Sequence, residues 1–180
     1  KAPNAAWGDT FTRADGTGSL GTADSGGTYT ASTGVWGIST NRAYPVSSGR
    51  VLAAVGSADH EVSVRFTDIT NAIQQWLICR AVDGANYWRI GSSAPTASGQ
   101  QVLAVQSIVA GAVVINVGVA RYSRGDTITA RCSGNTLTLL VNGAVVYERL
   151  MTTALAGASI GMQANTGANT FMDNLTCVTL

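Results

Sequence analysis

The densest gathering of side chains able to do chemistry is the stretch Gln74 to Ile90, QQWLICRAVDGANYWRI. Read as two strands joined by a turn at Asp83–Asn86, with Val82 opposite Tyr87, it sorts onto two faces, because side chains alternate along a strand. Leu77, Cys79, Ala81, Trp88 and Ile90 make an apolar face that belongs to a core. Gln74, Trp76, Arg80, Tyr87 and Arg89 fall on the other. Flat rings beside fixed hydrogen-bond donors are the chemistry of a sugar-holding platform. The competing reading is a solvated or covered sheet face that simply happens to carry these residues.

Other reactive residues are sparse. His60 is the only histidine. It sits between Asp59 and Glu61 at the start of a strand-like run, and no G-x-S-x-G elbow accompanies it. It is expected to be an exposed strand end. Glycoside hydrolysis usually needs two carboxylates about 5–9 Å apart. The only glutamates, Glu61 and Glu148, are distant in sequence. Nothing nominates a hydrolase, although aspartates from separate loops could still converge. Asp9, Asp15, Asp24, Asp83 and Asp173 lie in or near turns, where calcium finds carboxylates and carbonyls. No D-x-D-x-D-G loop is present, and Asp15-Gly16 and Asp83-Gly84 read better as plain turns.

Composition bounds the rest. A chain of 180 residues with net charge +1 suits one β domain and can bury about 70% of its extended surface. Its arginines are scattered, so it lacks the basic cluster that nucleic acid needs. No apolar run is long enough for a transmembrane helix, so no membrane insertion is expected. The three cysteines, Cys79, Cys132 and Cys177, are odd in number and show no zinc spacing. Buried free thiols are expected, with a Cys79–Cys132 bridge as the alternative.

The elements that must position these groups read as strands. Turn signals recur every 8–12 residues, the spacing of a β-sandwich. Asn142-Gly143 between LTLLV and AVVYE is a strong hairpin signal, and Ser133-Gly134-Asn135 marks another. Val62, Val64 and Phe66 alternate with Ser63, Arg65 and Thr67; Ile128, Ala130 and Cys132 alternate with Thr127, Thr129 and Arg131. One wet and one dry face is the pattern of antiparallel sheets over a core. Val102–Val119 is apolar on both faces. Central strands covered on both sides would explain it, and so would a subunit interface.

The segments DTFTRADGTGSLGTADSGGTYTASTGVWGISTNRA (Asp9–Ala43), CRAVDGANYWRI, GDTITARCSGNTLTLLVNG and FMDNLTCV together resemble concanavalin A-like (laminin-G-like) jelly-roll domains. Such domains occur in tail and fibre proteins of actinobacteriophages and in bacterial glycan-binding modules. The resemblance runs through nearly the whole chain in order, and its motifs are structural. It implies an all-β fold, a two-sheet antiparallel β-sandwich of the concanavalin A-like jelly-roll type over residues 9–180. Residues 1–8 are then a linker or a start cut from something longer. Tyr29 stands where the family often has Trp. A structural calcium near the first and last strands is implied at Asp9 and Asp173.

The function implied is a non-catalytic carbohydrate- or receptor-binding domain of a phage tail or other virion appendage, acting at the virion or outside the cell. Its partner would be bacterial cell-surface polysaccharide, held by Gln74, Trp76, Arg80, Tyr87 and Arg89. Two alternatives stand beside it. One is a structural module packing against other virion or tail subunits or against copies of itself. The other is a cell-wall glycan hydrolase.

Overall fold

The computed structural model describes residues 4–67, 74–95, 100–152, 155–165 and 171–180, and all of their side chains except those of residues 4–6, 31–32 and 93–95. The described residues form strands and no helix. In chain order they are β1 (Asn4–Asp9), β2 (Gly16–Thr17), β3 (Thr30–Ile38), β4 (Ala43–Ala54), β5 (His60–Phe66), β6 (Gln75–Asp83), β7 (Asn86–Pro95), β8 (Gln100–Val109), β9 (Ala112–Ser123), β10 (Thr127–Ser133), β11 (Thr136–Val141), β12 (Ala144–Leu150), β13 (Ser159–Ala164) and β14 (Met172–Thr179).

The strands make two antiparallel layers. The first runs β1-β14-β5-β10-β11-β12, and the second β2-β3-β4-β13-β6-β7-β8-β9. A single pairing, Met172 with Ala43, joins them at one side. The alternation legible in β5 and β10 decides which way each strand faces. Val62, Val64 and Phe66 meet Ile128, Ala130 and Cys132 on the inner side of the first layer. Leu77, Cys79, Trp88, Ile90, Leu103 and Val105 meet them from the second. Each fully buried large side chain stabilises by about 1.5–3 kcal/mol. The all-β jelly-roll sandwich expected from turn spacing and motif order is the fold observed.

Both expected hairpins form. Asn142 and Gly143 join β11 to β12 with φ of 50° and 81°, the backbone of a type I′ turn. Gly134 and Asn135 join β10 to β11. Three expectations need correction. Residues 1–3 lie outside the described residues, but Asn4–Gly8, read as preceding the domain, form β1 with Asp9 and pair with β14. His60 is fully buried rather than an exposed strand end. Its Nδ1 faces the carbonyl oxygen of Ser57 at 2.9 Å, and its Nε2 accepts from the amide of Arg80 at 3.4 Å.

The third correction concerns Val102–Val119, which splits in two. β8 is covered on both faces, with Leu103 and Val105 in the core and Ala104, Gln106 and Ile108 buried on the other side. β9 is an edge strand, and its Val113 and Val114 are 49% and 61% exposed. The cysteines are free and buried, Cys79 in the second layer and Cys132 in the first.

Candidate ligand-binding face

The outer face of the second layer gathers most of the expected platform, and strand register dictates how. One cross-strand row reads Arg50, Gln163, Trp76, Gly91, Ala104, Gly118. The next reads Leu52, Gly161, Ile78, Arg89, Gln106, Asn116. Tyr87 pairs with Ile108 one row further on. In the first row a large indole stands beside three residues with little or no side chain. The close approach there is real: a Cβ on Gly91 would lie 1.8 Å from the Gln75 carbonyl oxygen.

Hydrogen bonds tie these rows into one ladder. Arg50 Nη1 donates to Tyr87 Oη at 2.6 Å, and Tyr87 Oη donates to Gln163 Oε1 at 3.1 Å. Arg89 Nη1 donates to the same Gln163 oxygen at 3.0 Å, and Arg89 Nε to Gln106 Oε1 at 2.8 Å. Gln106 Nε2 then donates to Asn116 Oδ1 at 3.0 Å. The ladder spans β4, β13, β7, β8 and β9. With every amide oxygen in it accepting, Gln163 Nε2 and Asn116 Nδ2 remain as donors with no partner among the described residues. Such amides suit the oxygens of a sugar or a carboxylate.

The rings do a different job from the one expected. Trp76 is 1% and Tyr87 2% exposed. The Arg89 guanidinium lies 4.3 Å from the Trp76 ring centre, and that of Arg50 lies 4.9 Å from the Tyr87 ring centre. A guanidinium already occupies a face of each ring, so neither ring is an open stacking surface. They act instead as platforms beneath two guanidiniums. Burial lowers the Arg89 pKa from its ordinary value.

Arg80 leaves the platform altogether. The β6–β7 register slips between Cys79 and Asp83, and Arg80 takes a left-handed φ of 48°. The slip flips Ala81 from the core to the outer cluster of Ile78, Tyr87 and Ile108. The Arg80 side chain instead closes the end of the sandwich. It donates to the Ala58 carbonyl at 2.9 Å, Asp59 Oδ1 at 2.6 Å and the Gly134 carbonyl at 2.5 Å. Gln74 precedes β6 half-buried, and its carbonyl accepts from Asn165 N at 3.1 Å. Sequence reasoning found Tyr87 and Arg89 of the ladder, with Trp76 packed against Arg89, and missed Arg50, Gln106, Asn116 and Gln163. Those four sit on strands whose pairing no local pattern announces.

The two aspartates suggested for calcium do not meet. Asp9 pairs with Leu175 on the inner side, and Asp173 with Arg65 on the outer. The buried Asp9 carboxylate accepts from Phe11 N at 2.9 Å, Arg13 Nη1 at 2.6 Å, Arg13 Nη2 at 2.8 Å and Tyr29 Oη at 2.9 Å. The Arg13 guanidinium stands where a cation would, and hydrogen bonding to Asp9 raises the Arg13 pKa. Tyr29 also packs edge-on to Trp7 at 5.3 Å. Asp173 shares its cleft with Arg42, Arg65 and Arg124, whose charges oppose a divalent cation. Neither donor set fits calcium, and no group of three or more His, Cys, Asp or Glu suited to a metal occurs among the described residues.

No family model and no curated protein matches the sequence. Solved structures do resemble the fold. The apo Crh5 transglycosylase superposes with a TM-score of 0.64 at 10% identity, over 98% of this chain and 85% of its own. The carbohydrate recognition domain of Emp47p gives 0.57 at 12% identity, over 97% and 94%. The carbohydrate-binding module CBM66 from Bacillus subtilis gives 0.50 at 12% identity, over 84% and 91%. The chain therefore has the jelly-roll sandwich that these carbohydrate-binding modules and enzymes share.

Proposed function

We propose that this domain binds a glycan, without cleaving it, through the outer face of β4, β13, β6, β7, β8 and β9. The observation that carries the reading is the ladder Arg50–Tyr87–Gln163–Arg89–Gln106–Asn116. It fixes amide and guanidinium donors across five strands, a preorganised array for hydroxyl and carboxylate oxygens. The carbohydrate-binding neighbours support this choice of ligand. The sequence resemblance to phage tail and fibre domains supports bacterial surface polysaccharide as its source and a virion appendage as its setting.

The non-catalytic reading rests on where the acids lie. No carboxylate stands in the two rows that flank the ladder. Glu61 and Glu148 share the outer face of the first layer, but Arg131 and Thr138 separate them in the cross-strand row. Three strand spacings amount to roughly 14 Å, beyond the reach of a hydrolytic pair. Glu61 is also held by Arg131 Nε at 2.6 Å.

The test is retention of the domain on glycan arrays and purified cell-wall polysaccharide. Gln163→Ala and Asn116→Ala should each weaken retention several-fold while leaving the fold intact. Undiminished retention by the double variant would refute the face assignment. Release of soluble sugar would refute the non-catalytic reading.

One observation favours a structural role beside this one. Val113, Val114 and Val117 on β9 and Val145, Val146 and Leu150 on β12 are exposed at the two layer edges. If these edges pack against other subunits, light scattering will show assembly that Val114→Glu abolishes. A clean monomer at high concentration would remove this second reading.

A further inference from the structure

Three of the arginines are matched to carboxylates at 2.6 Å: Arg13 with Asp9, Arg80 with Asp59, and Arg131 with Glu61. Three others are gathered without such a match. Arg42, Arg65 and Arg124 line one cleft of about 400 Å³ with Thr67, Gly125 and Asp173. The cleft lies beside the outer face of the first layer, away from the ladder. No ion pair within 4.0 Å links its arginines to Asp173 among the described residues. The Asp173 carboxylate instead accepts from Asn174 N at 2.8 Å and Asn174 Nδ2 at 3.0 Å.

The backbone holds these guanidiniums in place. Arg65 Nε donates to the Gly125 carbonyl at 3.1 Å, and Arg124 Nε to the Thr67 carbonyl at 2.8 Å. Anchoring both through Nε leaves both terminal amino groups of each without a partner among the described residues. That is the fork that grips two oxygens of one oxyanion. Arg42 lies 4.3 Å from the Phe171 ring centre and donates through Nη2 to Thr40 Oγ1 at 2.8 Å. Gly125 forms part of the floor at a left-handed φ of 87°, with its carbonyl turned to Arg65. Three cations and one carboxylate leave the cleft with a net positive charge and unused donors.

We propose that this cleft is an oxyanion site that takes a carboxylate, sulfate or phosphate group carried on a polysaccharide. The polysaccharide as carrier rests on the glycan-binding reading above; the oxyanion chemistry rests on the cleft alone. The domain would then hold an acidic glycan at two places, through neutral groups on the ladder and a charged group here.

The test titrates the full chain with inorganic sulfate, dextran sulfate and uncharged dextran at constant ionic strength. Sulfate should shift the Gly125 amide resonance saturably. Dextran sulfate should bind the wild type at least about tenfold more tightly than Arg65→Gln/Arg124→Gln. Those arginines also hold carbonyls, so Asp173→Asn supplies an independent check. It removes the cleft's one negative charge without touching either anchor, and should tighten dextran sulfate binding about threefold. No saturable shift at Gly125, equal affinity in the folded double variant, or weaker binding by Asp173→Asn would each overturn the site. Sulfate binding without dextran sulfate binding would overturn the polysaccharide as carrier. Arg89→Gln should leave the Gly125 shift unchanged, which separates failure of this site from failure of the ladder.

Discussion

The guanidinium of Arg89 lies 4.3 Å from the centre of the Trp76 ring, on the outer face of the second layer. The contact links scaffold to site. Trp76 is buried in a row with Gly91 and Ala104, whose missing bulk it complements. Arg89 above it holds both Gln106 and Gln163. Removing the indole should cost about 3–5 kcal/mol of stability. Removing the guanidinium should cost about 1–2 kcal/mol and release the two glutamine side chains. Trp76→Ala should therefore show a large drop in denaturation midpoint. Arg89→Gln should stay folded near the wild-type midpoint yet lose most glycan retention. Equal effects of the two variants on both measurements would show that the ring and the guanidinium do not divide the work this way.

The second prediction follows from Arg80. Its side chain is 6% exposed and that of its partner Asp59 is 44% exposed. Truncation would let water reach Asp59 while stranding the carbonyls of Ala58 and Gly134. Arg80→Ala should destabilise by about 2–3 kcal/mol. Arg80→Lys should recover little, because one ammonium cannot span three acceptors as a planar fork does. The glycan affinity of the folded fraction should not change. Denaturant titration and a binding assay on the same samples check both halves.

Arg80 also shows where sequence reasoning stopped. Alternation placed Leu77, Cys79, Trp88 and Ile90 in the core, because burying one face of a strand fixes parity. It placed Trp76, Tyr87 and Arg89 together on the other face for the same reason. The bulge between Cys79 and Asp83 is a two-residue irregularity that leaves parity intact on either side, so only the residues inside it were misplaced. Arg50, Gln106, Asn116 and Gln163 were illegible for another reason. They reach Tyr87 and Arg89 only through the pairings of β4, β13, β8 and β9, and non-local register is set by packing rather than by neighbours in sequence. The hairpins at Asn142-Gly143 and Gly134-Asn135 were legible because turn chemistry is local.

The third prediction concerns acid stability. Burial holds the His60 pKa below its ordinary value of 6.5. The folded state therefore keeps this imidazole neutral at pH values where the unfolded chain protonates it. With more protons bound in the unfolded state, stability falls as pH falls below 6.5 and levels off beneath the folded pKa. One such group contributes a slope of up to about 1.4 kcal/mol per pH unit. His60→Gln, less stable at neutral pH because it loses the imidazole contact to the Arg80 amide, should show a flatter profile as pH falls below 6.5. Parallel profiles for the two proteins would assign the acid sensitivity elsewhere.

The last prediction concerns the thiols. Cys79, Cys132 and Cys177 come from three strands and lie buried inside the sandwich. Hydrogen bonding to Cys132 and burial together push the Cys79 thiol well above its ordinary range, and burial pushes Cys177 up to about 12. The thiolate is the reactive form, so the native protein should give almost no reaction with a disulfide reagent at pH 8. All three should react once denaturant opens the core. The rate in native buffer should then follow global opening and rise with each destabilising substitution above, Arg80→Ala included. Fast modification of one thiol in the folded wild type would mean that its strand opens locally. In β14, the strand of Cys177, such opening would also free β1, which pairs along the same residues.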